Sequence, residues 1–393
     1  NVKRYVSYLK LRASRGLAGS QNLGNYAWRS GIGSARYNEN PAIIPSTIGN
    51  SELQWEETLM TDIGLDYGLW GERIRGSFGV YEKLTDQLIY SRPLPPSSAA
   101  SSISSNVASM RNRGIEFDVK VDVVKSTDLI LTIDFNTAKN RTEVLKINEV
   151  TKEIPMPGSS TTYMVLKEGG LTSEWYGFET ANRLFVTQEE IIALQTRTAT
   201  GAKTIYRNAR ESVGDLYFID QNNDGMITND DKVRLGSAEP KFFGGFGATL
   251  LYKGLMVNTT FTYAFGHKRL WKMPMDDVGY VGNYNHSNLI AGRSATLLDP
   301  RDASIPRMTQ YGDGGNSTFC DFWLYDASYA RFSTVNVSYR LPAKWFGSSI
   351  IQGIDLTFQG TNLFTLTKYP GFDPQGNWSS TTVGTGMGVD NSA

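Results

Sequence analysis

Between residues 115 and 123 the chain alternates without a fault: Ile115, Phe117, Val119, Val121 and Val123 are apolar, while Glu116, Asp118, Lys120 and Asp122 are charged. A period of two belongs to a β-strand, whose successive side chains leave opposite faces, so one face meets an oily medium and the other meets water. The same rhythm recurs over residues 59–69, 129–140, 255–265 and 329–341, and more weakly over 7–14, 74–80, 241–252 and 354–361. Nine strands are expected. Segments of about ten residues suit a tilted strand that crosses a bilayer, whereas globular strands run to about five or six.

The connections between these strands sort by length. Tight turns fall at 69–73, 123–129 and 252–255 and a modest one at 342–353, and between them come long stretches at 16–55, 91–108, 143–240 and 267–328. Short and long connections alternate. Because each strand of a meander reverses direction, all tight turns lie at one end and all long loops at the other, which is the asymmetry of an outer-membrane barrel. Aromatics near strand ends, among them Trp55, Tyr67, Trp70, Tyr252, Trp323, Tyr325 and Trp345, suit an interfacial girdle. The expected fold is therefore all-β, an antiparallel transmembrane β-barrel. A soluble β-rich module whose aromatics stack on sugar is the alternative, separable by solubility without detergent.

Composition narrows the chemistry. With 39 basic and 39 acidic residues the formal net charge is zero, which gives no support for nucleic-acid binding. No window approaches the roughly 18 consecutive apolar residues of a membrane helix, so insertion must be by strands. A single cysteine, Cys320, excludes an internal disulfide framework. The two histidines, His267 and His286, have no neighbouring nucleophile or carboxylate dyad, and no catalytic residue is assigned. The opening residues read as the approach to a strand rather than as a signal peptide, which predicts a chain that is a portion of something longer.

One long loop carries a candidate metal site. Residues 220–231 place Asp220, Asn222, Asp224, Thr228 and Asp231 at positions 1, 3, 5, 9 and 12 of a twelve-residue loop, with Gly225 at position 6 and the Met226 carbonyl available at position 7. That spacing is the one a calcium loop needs, because a hard cation wants several oxygens and the chain must turn sharply to supply them. Asp rather than Glu at position 12 shortens the last reach, as in dockerin-type loops. The expected ion is calcium in a structural role, against a plain polar turn. Just upstream, Thr187 and residues 188–195 read as a capped short helix.

The wording of the chain also resembles a known family. Leu9-Lys10-Leu11-Arg12-Ala13-Ser14, Gly19-Ser20-Gln21-Asn22, Asn112-Arg113-Gly114-Ile115-Glu116, Gly214-Asp215-Leu216, Asp326-Ala327-Ser328-Tyr329-Ala330-Arg331 and Gln359-Gly360-Thr361-Asn362-Leu363-Phe364 occur in the order found in SusC/RagA-type TonB-dependent transporters of the Bacteroidetes outer membrane. The resemblance implies that residues 1–393 are the C-terminal portion of a 22-stranded barrel, with the plug domain and the last strand outside this chain. It implies active import of a bulky nutrient, an oligosaccharide or peptide, with a SusD-like lipoprotein over the extracellular mouth and TonB acting through the missing N-terminal part. Trp175, Tyr176, Tyr280 and Tyr284 are candidate ligand or partner contacts as exposed loop aromatics, the alternative being that they pack within their own loops.

Overall fold

The computed structural model describes residues 5–20, 24–94, 98, 100, 102–147, 153–155, 163–195, 211–279, 286–288, 290–296, 298–309, 314–347, 353–375 and 389–390. Nine long strands form one antiparallel meander: β1 Val6–Ser20, β2 Glu56–Leu69, β3 Ile74–Pro93, β4 Ser102–Lys125, β5 Leu129–Ile147, β6 Phe242–Tyr252, β7 Leu255–Phe265, β8 Tyr329–Arg340 and β9 Asp355–Thr367. All nine expected strands are present and in order. The sheet does not close on itself, since β1 and β9 each keep an open edge. It is part of a barrel wall.

The register turns alternation along each strand into rows across the sheet. One row runs Leu9, Tyr67, Gly76, Val119, Phe135, Phe246, Phe261, Phe332 and Phe364, each residue directly opposite the next. The row beside it, on the other face, runs Lys10, Asp66, Ser77, Asp118, Asn136, Gly245, Thr262, Arg331 and Thr365. Within the apolar row the Phe246 and Phe261 ring centroids are 4.6 Å apart and those of Phe261 and Phe332 4.4 Å, so the rings stack as cross-strand pairs. Phe246 and Phe364 remain 40% and 50% exposed. A row across nine strands that is apolar or aromatic at every position but Gly76, with Leu9, Phe135, Phe246 and Phe364 exposed, cannot face water, so this is the lipid side and the polar row lines the lumen.

Two glycines let tyrosines lie flat against the wall. The Tyr67 hydroxyl crosses Gly76 to donate to the Asp118 carbonyl at 3.2 Å, and the Tyr263 hydroxyl crosses Gly244 to donate to the Asn136 carbonyl at 3.0 Å. A Cβ at either glycine would sit 2.1 Å from that same carbonyl oxygen. Glycine is thus required by close approach, and the tyrosine ring restores the apolar cover that glycine lacks.

The loops depart from expectation in one place. Segment 91–108 is mostly ladder rather than loop, because Tyr90–Pro93 pairs with Ser105–Ser102. β3 has 20 residues and β4 has 24, about twice the 9–11 that cross a bilayer, so the hairpin stands well clear of the membrane. In water the extension needs no continuous apolar face, and it buries only a small core in which Val107 and Ala108 pack with Val144, Ile147 and Ile154. Backbone pairing persists there while the alternation that marks a strand in sequence fades. The tight turns lie at the opposite end, with positive φ at Trp70, Gly71 and Glu72 in one and at Lys253 and Gly254 in another.

Above the wall, residues from the two longest connections share one core. Trp175, Phe178, Leu184, Phe185, Ile191, Leu216 and Phe218 from the first pack with Leu270, Val278, Ile305, Phe319, Cys320 and Trp323 from the second. This head corrects the girdle: Trp323 is 0% exposed inside it, and Tyr325 packs with Trp271, whereas Trp55, Trp70, Tyr252 and Trp345 are exposed at strand ends. The strand-end position that marks an interfacial aromatic in sequence also marks the point where the chain enters a folded loop.

Candidate functional site

The head is built from short paired segments. Glu174–Phe178 pairs antiparallel with Lys232–Ser237, Thr180–Leu184 with Leu216–Phe218, and Lys268–Trp271 with Leu324–Asp326. Helix α1, Gln188–Gln195, is the one read from sequence. Its Glu190 N–H donates to Thr187 Oγ1 at 3.4 Å, and the Glu190 carboxylate accepts from the Val186 N–H at 3.0 Å, so both sides of the N-terminus are capped. The Val186 N–H holds the Glu190 carboxyl below its ordinary range, with help from Arg183.

The two loops are bolted together by a buried polar group that sequence reasoning missed. Arg307 Nε and Nη2 donate to Asp215 Oδ1 and Oδ2 at 2.5 and 3.0 Å, and Asn316 Nδ2 donates to Asp215 Oδ1 at 2.7 Å. Ser212 N–H caps the same carboxylate at 2.8 Å, while Asn316 Oδ1 accepts from Leu216 N–H at 2.9 Å and the Asn316 carbonyl accepts from the Trp323 indole at 3.0 Å. Asp215 and Asn316 are 0% exposed. Burial pushes the Asp215 carboxyl above the usual carboxylate range, and the Arg307 guanidinium, the Asn316 amide and the Ser212 N–H pull against it. Asp215 was legible only as part of a family-like Gly-Asp-Leu string. Its partners lie 92 and 101 residues downstream, where no local pattern points to them.

The candidate calcium loop joins two of the small sheets, leaving Leu216–Phe218 and entering Lys232–Ser237. Asp220 Oδ2 accepts from Gly225 N–H at 2.8 Å, Asn222 Oδ1 from Asp224 N–H at 2.9 Å, and Asp224 Oδ1 from Met226 N–H at 2.8 Å. Asp231, fully buried, accepts from Gln221 N–H at 3.0 Å and Thr228 N–H at 2.7 Å, and Thr228 Oγ1 accepts from Asp230 N–H at 3.2 Å, a capping box on the turn Asn229–Asp231. Gly225 has φ 87°, the left-handed turn its position demands. Among the described residues no three Asp, Glu, His or Cys side chains converge closely enough to hold an ion, so three carboxylates do not crowd together as expected. Backbone N–H groups cap each of them instead. What fits a cation is Asp220 Oδ1, a buried acceptor with no hydrogen-bond partner.

The candidate contact aromatics divide. Trp175 is not an exposed contact: it is 0% exposed, its ring lies 5.6 Å from that of Phe319, and its indole donates to the Lys268 carbonyl at 3.0 Å. A ring flanked by apolar loop residues from both connections is more stable inside the head than on it. Tyr176 is half-buried, with Lys167 donating to its hydroxyl at 2.9 Å and lying 4.1 Å from its ring centre. Tyr280 and Tyr284 lie outside the described residues.

At the junction of head and lumen a second polar cluster forms around Arg331, which donates to Thr365 Oγ1 at 2.8 Å, Gln375 Oε1 at 2.7 Å and Asp373 Oδ1 at 2.6 Å. His267 is buried beside it. Burial, reinforced by Arg269 and opposed by Asp326, keeps its imidazole below the ordinary pKa.

Comparison with known proteins agrees with this architecture. The chain is 26% identical over 403 residues to TonB-dependent receptor P3 of Formosa agariphila, covering 98% of this chain and 38% of that protein. It is 22% identical over 385 residues to TonB-dependent receptor SusC of Bacteroides thetaiotaomicron, covering 94% of this chain and 35% of that protein. The chain thus spans under two fifths of the length of these relatives. The fold matches that of the RagAB peptide importer in its closed-closed state with a TM-score of 0.74 at 23% identity, over 98% of this chain and 39% of that one. The matched proteins are named as TonB-dependent receptors and a peptide importer. The family model described as "TonB dependent receptor-like, beta-barrel" matches residues 5–223, and with the wall, its lipid-facing rows and its polar lumen this chain belongs to that outer-membrane family.

Proposed function

We propose that this chain serves active, TonB-driven import of a bulky nutrient, an oligosaccharide or a peptide, as part of a SusC/RagA-type transporter. A SusD-like lipoprotein sits on the extracellular head. The observation that carries this reading is the head itself: two connections of a barrel are folded into one body with a continuous core, held by the Asp215–Arg307–Asn316 group. A simple pore has no need of a rigid platform above its mouth, while a capped transporter needs one against which a partner can open and close. Purification of the full-length transporter from native membranes in mild detergent should yield a stoichiometric lipoprotein. Its repeated absence, together with unchanged nutrient uptake when the lipoprotein is deleted, would sink the proposal.

The same reading gives the 220–231 loop a structural calcium ion. Asp220, Asn222, Asp224, Thr228 and Asp231 would hold it through side-chain oxygens and Met226 through its carbonyl, and the ion would supply the charge that the lone Asp220 Oδ1 lacks. The loop is already turned by its own N–H contacts, so the ion stiffens it rather than folds it. Calcium should slow proteolysis between the two small sheets, and Asp220→Asn should abolish that protection with barrel insertion intact. Equal cleavage with calcium and with chelator would reduce the loop to a polar turn.

A further inference from the structure

The lipid-facing side of the wall carries a basic patch where its apolar band ends. On β4 the outward positions Val123, Val121, Val119, Phe117 and Ile115 are followed by Arg113 and Arg111, and on β5 Leu131, Ile133, Phe135 and Thr137 are followed by Lys139 and Arg141. Eight steps of about 3.3 Å, tilted by about 40°, amount to roughly 20 Å of height, close to the ~25 Å of an outer-membrane apolar band. Arg113 and Arg141 therefore stand at headgroup level on the extracellular side.

Three guanidinium groups converge there on one carboxylate: Arg111, Arg113 and Arg141 lie 2.7, 3.3 and 2.7 Å from Glu143. Glu143 offsets one positive charge and Glu82, directly opposite Arg113 on the same face, a second, against the four basic groups Arg111, Arg113, Lys139 and Arg141, which leaves a surplus of two. The surplus is local, because the neighbouring outward positions on β6 and β7 at this height are Phe242, Gly244, Tyr263 and Phe265. Arg113 is paired across the sheet with Glu82 on β3, and Glu82 borders an outward groove of about 430 Å³ walled by Leu59, Ile63, Val80 and Leu84, with Arg15 on its far side. Surplus positive charge next to an apolar groove, at the level where headgroups meet acyl chains, is complementary to one kind of molecule.

We propose that this face binds a phosphorylated, acylated lipid of the outer leaflet, with phosphate on Arg111, Arg113 and Arg141 and an acyl chain along the Leu59–Leu84 groove. Guanidinium groups suit this role because they fork onto phosphate and are weakly hydrated. The bound lipid would hold β2 to β5 at a set height beneath the head, in a place distinct from any nutrient path through the lumen.

The test uses the full-length transporter in detergent, with bound lipid counted by native mass spectrometry and unfolding followed by heat. Phosphorylated lipid A should bind and raise the melting temperature, and enzymatically dephosphorylated lipid A should do neither. Each arginine near an anionic surface contributes about fivefold in affinity, so Arg113→Gln with Arg141→Gln should weaken lipid A binding at least tenfold. Arg141→Gln alone, the milder change, should cost about fivefold should the double variant fail to insert. Lys120→Gln, on the lumen face, should leave binding as it is. Equal binding of the dephosphorylated lipid, a double variant within about twofold of the parent, or equal stabilisation by inorganic phosphate alone would each overturn the proposal.

Discussion

The wall and the head place the same residue types in opposite ways. In the wall Phe246, Phe261, Phe332 and Phe364 form a row on the outside, and the polar positions Asp118, Asn136 and Thr262 line the inside. In the head Trp175, Phe185, Phe218 and Trp323 are buried, and the Asp215 carboxylate reaches the interior hydrogen-bonded to Arg307 and Asn316. The difference is one of solvent. A β-strand in lipid satisfies its backbone within the sheet and turns apolar side chains outward, whereas loops in water hide them and must satisfy each buried polar atom by name.

Breaking the head at its polar bolt should have the largest effect. Asp215→Ala takes a fully buried carboxylate from the buried Asn316 amide and from the Arg307 guanidinium, whose side chain is 25% exposed, and losing one partner of a mostly buried pair costs about 3 kcal/mol. Limited proteolysis should then cleave the head while the wall still resists heat in detergent; equal protease resistance would mean that apolar packing alone holds the two loops together.

Phe246→Arg sharpens the other side of the comparison. An arginine on the lipid face near mid-membrane should cost about 2 to 4 kcal/mol of barrel stability, while Thr262→Arg on the lumen row should be nearly neutral. Urea unfolding in bilayers reads both, and similar losses at the two positions would reverse the assignment of the faces.

A smaller change is expected at helix α1, where Thr187→Ala removes the cap and should cost about 1 kcal/mol, seen as faster amide exchange over residues 188–195 without change in the wall. The smallest is a pH effect at His267, whose folded-state pKa lies below its unfolded value near 6.5. The fold holds the imidazole neutral, so the stabilisation is complete above about pH 6.5 and is lost as the pH falls through that range. Protease resistance of the head should decline between about pH 7 and 5 in the parent and stay flat in His267→Gln.

Much of the wall was legible because its determinants are local. Alternation along 115–123 or 255–265 records the two solvents directly, and a register set by tight turns such as 252–255 then carries that alternation across neighbouring strands. The twelve-residue loop and the cap at Thr187 were legible for the same reason, since each is a contact within a few residues. The extension of β3 and β4 into water was not, because pairing there leaves no apolar period.

What the sequence by itself determined is thus the strand count, the faces and the end that carries the long loops. The tertiary structure alone decided that two of those loops form one body, that Trp175 and Trp323 lie inside it, and that Asp215 meets Arg307 and Asn316 across 92 and 101 residues. It also decided that Arg111, Arg113 and Arg141 gather on Glu143, two strands brought side by side. Local periodicity reports the medium each residue faces, but a contact between distant segments depends on the path of the whole chain, and no short window contains that path.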